Sequence, residues 1–153
     1  MEMVSVLAMN NWFEHYIGKP WKAVPNPPAS FTCGELVRHI YATRLGIDTP
    51  LVYADPSRLD QCVANLEQPE AYGFYPFDGP PRPFDVAYLL RGSYRDHVGI
   101  AVRTVEGLMI LHCMQVLGVL LERPAEIFGT ARARRIEWRR HKDVSEELAL
   151  CLA

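Results

Sequence analysis

The sequence predicts an α+β fold, with N-terminal helices packed on an antiparallel β-sheet. Three observations carry this. Apolar residues recur at helical spacing through the first half, as in Leu36, Val37, Ile40, Tyr41 and Leu45. The second half alternates with period two between turn signals, as in Val98, Ile100 and Val102. Helices precede strands instead of alternating with them, which excludes a βαβ pattern.

The elements follow in order. Leu7, Trp12, Phe13, Tyr16 and Ile17 predict a short amphipathic helix over Ala8 to Ile17, ending at Gly18. Lys19-Pro20-Trp21 opens an irregular segment to Ser30, because the prolines at 25, 27 and 28 lack a donor and restrict their predecessors. A second helix runs from Cys33 to Leu45, with Thr32 as N-cap, Glu35 three residues on and Gly46 as stop. A third is expected over Ser57 to Glu67, from Leu59, Cys62, Val63 and Leu66. Gln68 to Arg82, rich in Pro, Gly and aromatics, reads as a packed loop, or alternatively as a substrate-groove wall.

Strands are expected at Val86 to Leu90, His97 to Thr104, Leu108 to Met114 and Gly118 to Leu121. Pro124 to Phe128 reads as a helical turn. Ala131 to Trp138 reads as a last strand with Ile136 and Trp138 inward. His141 to Ala153 is an amphipathic end helix or a frayed extension. The simplest partition is one domain over 1–153, with its core at about 10–140 and a tail at 141–153.

Composition bounds the function. Hydrophobic residues make up 49% and charged residues 22%, an ordinary globular mixture. The net charge of −2 gives no global reason to expect a nucleic-acid partner. No apolar run approaches the ~20 residues of a membrane span. Met1-Glu2-Met3-Val4-Ser5 lacks a basic n-region, so no signal peptide and synthesis in a reducing cytoplasm are expected. Cys33, Cys62, Cys113 and Cys151 are widely spaced, and no pair has zinc-knuckle spacing. No metal or other cofactor is expected, although Cys33, Cys113, His97 and His112 are residue types that zinc accepts.

Cys33 is the candidate nucleophile. In the first turn of a capped helix it lies near unpaired N–H groups and the positive end of the dipole, a setting that lowers a thiol pKa from about 8.5 toward roughly 3.5–7.5. A nucleophile of this kind needs a base and a group that orients the base. The candidates are His97 and His112. A two-residue loop at Val105-Glu106 would set His97 opposite Met114 and Gly99 opposite His112. Both imidazoles would then share one face as diagonal neighbours. A Cys–His–His relay further expects the helix N-terminus to pack over that face.

The stretches Thr32-Cys33-Gly34-Glu35-Leu36-Val37, His97-Val98-Gly99-Ile100 and His112-Cys113 resemble the NlpC/P60 family of cysteine peptidases, in particular the phage-tail versions. Gly18-Lys19-Pro20-Trp21 resembles the family's segment before the cysteine. Pro83-Phe84-Asp85-Val86 resembles the G-D-L/V leading into the first strand, and Gly118-Val119 the G-V after the third residue. The resemblance covers about Trp12 to Val119. Thr32 stands where the family usually has Asp, and Glu35 where it usually has Gly.

This resemblance implies a papain-like core and hydrolysis of amide bonds in peptidoglycan stem peptides, commonly beside D-iso-glutamyl residues. It implies a place in a phage or prophage tail, with other tail proteins as partners. Cys33 would attack, His97 would act as base and then acid, and His112 would orient His97. Trp21 and Gly34 would border the oxyanion or substrate. The alternative, motivated by Thr32 and Glu35, is a structural or assembly tail protein that keeps the fold with weak or no catalysis.

The remaining polar residues have blander readings. His39 is expected mid-helix, and His15 and His141 in solvent. Asp85 and Asp96 read as turn and cap groups, Gln115 as a substitute orienter, and Cys62, Cys113 and Cys151 as inert. The run Arg132 to Arg140 reads as an edge strand with a solvated basic face, or as a contact for an anionic partner.

Overall fold

The computed structural model describes residues 11–49 and 66–153. The prolines keep the chain irregular until Ser30, whose buried hydroxyl accepts from the Asn26 N–H at 2.8 Å. Helix α1 spans Cys33–Ile40 and runs on into one wider π-type turn, Tyr41–Leu45. The Thr32 hydroxyl accepts from the Glu35 N–H at 3.3 Å, and Gly46 ends the element at φ +67°. Both ends match the sequence signals. The Glu35 carboxylate pairs with Arg38 one turn on, at 3.4 Å.

The sheet has six antiparallel strands: β1 (Phe74–Tyr75), β2 (Val86–Arg91), β3 (Tyr94–Thr104), β4 (Gly107–Met114), β5 (Gly118–Glu122) and β6 (Arg135–His141). Their spatial order is β1-β6-β2-β3-β4-β5. Thr104 pairs with Gly107 across a two-residue turn, and Gly99 pairs with His112.

Alternation gives the sheet two unlike faces. Val86, Tyr88, Val98, Ile100, Val102, Leu111, Cys113 and Val119 pack with Leu36, Val37, Ile40 and Tyr41 of α1 in the main core. The second face carries Ala87, Leu89 and Ile110, covered by Ile127 of helix α2 (Pro124–Thr130) and by Ala131 and Ala133. Gly99 lies on the second face, where an added Cβ would meet Ile110 Cγ2 at 2.6 Å and His112 Cβ at 3.0 Å.

Several expectations are corrected. Over residues 11–18 there is only a single 3-10 turn, Glu14–Tyr16, not a helix. Gly18, at φ +88°, donates to the Val119 carbonyl, and the Val119 N–H donates to Lys19, which draws the chain into an extended path. The rest of that helix and nearly all of Ser57 to Glu67 fall outside the described residues. Residues 68–82 contain a 3-10 turn, Pro69–Tyr72, and strand β1, which pairs with β6. Of the two readings of the tail, the amphipathic end helix holds. Helix α3 (Glu146–Leu152), N-capped by Ser145, puts Ala149 in the main core, with Val144 just before it.

Arg132, Arg134 and Arg135 of the basic run are exposed, but the run is not an edge strand. Strand β6 lies between β1 and β2. Arg139 is buried against Glu137 and Glu70, and Arg140 binds Asp85 through two 2.8 Å contacts. His141, expected in solvent, is 4% exposed and packs on Tyr41 and Phe74. Ile136 and Trp138 are half-buried against the second core.

Candidate functional site

β-pairing brings His97 and His112 together. Because Gly99 pairs with His112, His97 is the diagonal neighbour on the same face, and its Nε2 lies 2.9 Å from His112 Nδ1. The rings meet edge to face at 78°. His112 is fully buried, and its Nε2 lies 2.7 Å from Glu122 Oε1. The other oxygen of Glu122 accepts from the Thr130 hydroxyl, at the end of α2, at 2.6 Å. A chain of four polar side chains thus crosses β3, β4 and β5 and stops at α2.

Burial shapes its electrostatics. His97 is pulled down to about 3, by desolvation first and then by His112. His112 is lowered by desolvation, against the hydrogen bond and charge of Glu122, which raise it. Both rings are therefore neutral at neutral pH. His97 Nδ1 makes no hydrogen bond to another described residue.

Cys33 opens α1, on the other side of the sheet. The Cys113 thiol donates to the carbonyl of Phe31, two residues before Cys33, at 3.5 Å. Burial, and then the Cys33 sulfur, push Cys113 up to about 12, so Cys113 is a poor nucleophile. The expectation that the helix covers the histidine face is thus corrected: its apolar side covers the Val98–Ile100 face. That face carries Val98, Ile100, Val102 and Leu111, while the histidine face carries its own core of Leu89 and Ile110 covered by Ile127.

The two groups nevertheless share one end of the sheet. His97 lies two residues beyond the last β3–β4 pair, Gly99 with His112, on the side of β4 where Met114 pairs with Gly118. At that end the Lys19 carbonyl accepts from Val119, and Phe31 bridges to Trp21. Trp21 is half-buried against the main core. A Cβ added to Gly34 would meet no described atom within 4 Å.

Glu122 and Thr130 were missed by sequence reasoning. The signal was there for Glu122: a three-residue turn at 115–117 sets Met114 against Gly118 and Ile110 against Glu122, which puts Glu122 on the face of His112. Gln115 is exposed in that turn, and the side chain that contacts His97 Nε2 is His112. Asp96 pairs with Arg91 at 3.1 Å. Among the described residues no group of three His, Cys, Asp or Glu side chains is arranged to hold a metal, and no helix is long and apolar enough to cross a membrane. No protein-family model matches the chain, and neither does any curated protein.

Proposed function

We propose that the chain is a cysteine hydrolase of NlpC/P60 type with a papain-like core, cleaving amide bonds in peptidoglycan stem peptides as part of a phage or prophage tail. The observation that carries the reading is the 2.9 Å His97–His112 contact at the sheet end where Phe31 leads into Cys33. Backbone geometry adds support. Phe84, at the position of the family's glycine, has φ +73°. Gly118, at φ +76°, is so close to Lys19 that a Cβ would sit 2.5 Å from its carbonyl oxygen.

This mechanism requires Cys33, on the face covered by α1, to come within reach of His97 on the opposite face. The Nδ1 lone pair of His97 takes the thiol proton as sulfur attacks the carbonyl, then returns it to the leaving amine. The Cys33 N–H, with Gly34 and Trp21 beside it, faces the developing oxyanion.

Cys33→Ala and His97→Ala are expected to abolish cleavage of a stem peptide while leaving the unfolding transition cooperative. Undiminished turnover by Cys33→Ala would reject the reading. A structural tail protein is the second reading, favoured by the placement of α1 on the face away from the histidines. It expects Cys33 to titrate near the free-thiol value of ~8.5 with no peptide turnover.

A further inference from the structure

Glu122 binds neither the nucleophile nor the base, yet it closes the buried end of the chain. We propose that Glu122 is a positioning residue that fixes the tautomers of both imidazoles, so that His97 offers its Nδ1 lone pair at the end of the sheet.

The argument is one of donors and acceptors. A carboxylate has no proton to give, so across 2.7 Å His112 must donate from Nε2 to Oε1. The Thr130 hydroxyl donates to Oε2 at 2.6 Å, which leaves Oε1 for His112. The side chain of His112 is 0% exposed and that of Glu122 15%, so water does not compete for the inner contact. Neutral His112, protonated on Nε2, has its lone pair on Nδ1. That lone pair lies 2.9 Å from His97 Nε2, which must therefore carry the proton of the His97 ring. The lone pair of His97 is left on Nδ1. The reverse order would point the His112 Nε2 lone pair at a carboxylate oxygen, two acceptors in contact in a dry site.

The use of this proton order in catalysis rests on the hydrolase reading above; the order itself does not. The test is nitrogen NMR of the full chain with labelled histidine at neutral pH. Both rings are expected to carry their proton on Nε2. A His97 protonated on Nδ1 would overturn the proposal, and needs no variant to be seen. Glu122→Gln keeps the size of the side chain but can also donate. It is expected to bring Nδ1–H forms into both rings together, and unchanged tautomers in that variant would also overturn the proposal. Where stem-peptide turnover is measurable, kcat should fall by about 100-fold or more with KM little changed, as for other wrongly tautomerised bases. Finding the Nε2 order in a protein without turnover supports the proposal and counts against the hydrolase reading alone.

Discussion

Two groups of buried polar side chains, one around β6 and one across β3, β4 and β5, are built differently. Around β6, Asp85 accepts from the Arg82 N–H at 2.9 Å and from Arg140 at both oxygens. Glu137 holds Arg95 and Arg139, and Glu70 takes a second contact to Arg139. Each charge there meets an opposite charge, and the network ties β6 to the segments before β2. Across β3, β4 and β5 the chain is neutral at its imidazoles and, among the described residues, does not close: it runs from Thr130 through Glu122 and His112 to a His97 nitrogen with no described partner. Polarity closed on itself holds strands together.

The largest effect expected of this difference is on stability at the closed network. Asp85 is 1% exposed, and removing its carboxylate leaves the guanidinium of Arg140 and the Arg82 N–H without their acceptor. Asp85→Ala should cost about 3–5 kcal/mol, read from denaturant unfolding. A loss below about 1 kcal/mol would mean that the ion pairs do not hold the sheet edge.

Acid separates the networks next. The folded state holds His97 at about 3, below its ordinary 6.5, so between those values the unfolded chain binds more protons. Stability is then complete above about 6.5 and is lost as pH falls toward 3. His112, His39 and His141 are lowered too, and act in the same direction. Glu137 and Glu70 are also lowered; their contribution is present above the ordinary 4.5 and is lost only below it. Urea midpoints from pH 7 to 4 should therefore begin to fall near 6.5. In a His97→Phe protein the early part of that fall should shrink. A midpoint flat down to pH 4.5 would contradict the buried neutral imidazoles.

How much of this was legible depended on distance along the chain. The α1 ends were written locally, by Thr32 and Gly46. The pairing of Gly99 with His112 followed from one turn, Val105-Glu106, because a two-residue loop fixes parity. The same arithmetic carried one strand further would have reached Glu122. The face chosen by α1 was not legible from periodicity, because each face of the sheet carries apolar residues, Val98 and Ile100 on one and Leu89 and Ile110 on the other. Arg139 and Arg140 read as solvated because charged residues are seldom buried without a partner. Their partners, Glu70 and Asp85, lie in other segments of the chain, and no local pattern announces them. The α+β class survived all of these because it rests on the order of elements.

The smallest expected effect lies outside both networks, where it serves as the control. Thr32 caps α1 through one contact of 3.3 Å to the Glu35 N–H and touches neither the ion pairs nor the imidazoles. Thr32→Ala should cost about 1 kcal/mol. Thr32→Asp should cost less, since a carboxylate caps as well and is favoured at the helix N-terminus. The same carboxylate stands beside Cys33 and would raise the thiol pKa. Thermal unfolding should therefore rank the variants with Asp above Ala, while thiol titration against pH shows Cys33 of the Asp variant reacting at higher pH. Were Ala and Asp to shift the thiol equally, the first turn of α1 would not be setting the electrostatics of Cys33, and the nucleophile would depend on the His97 side alone.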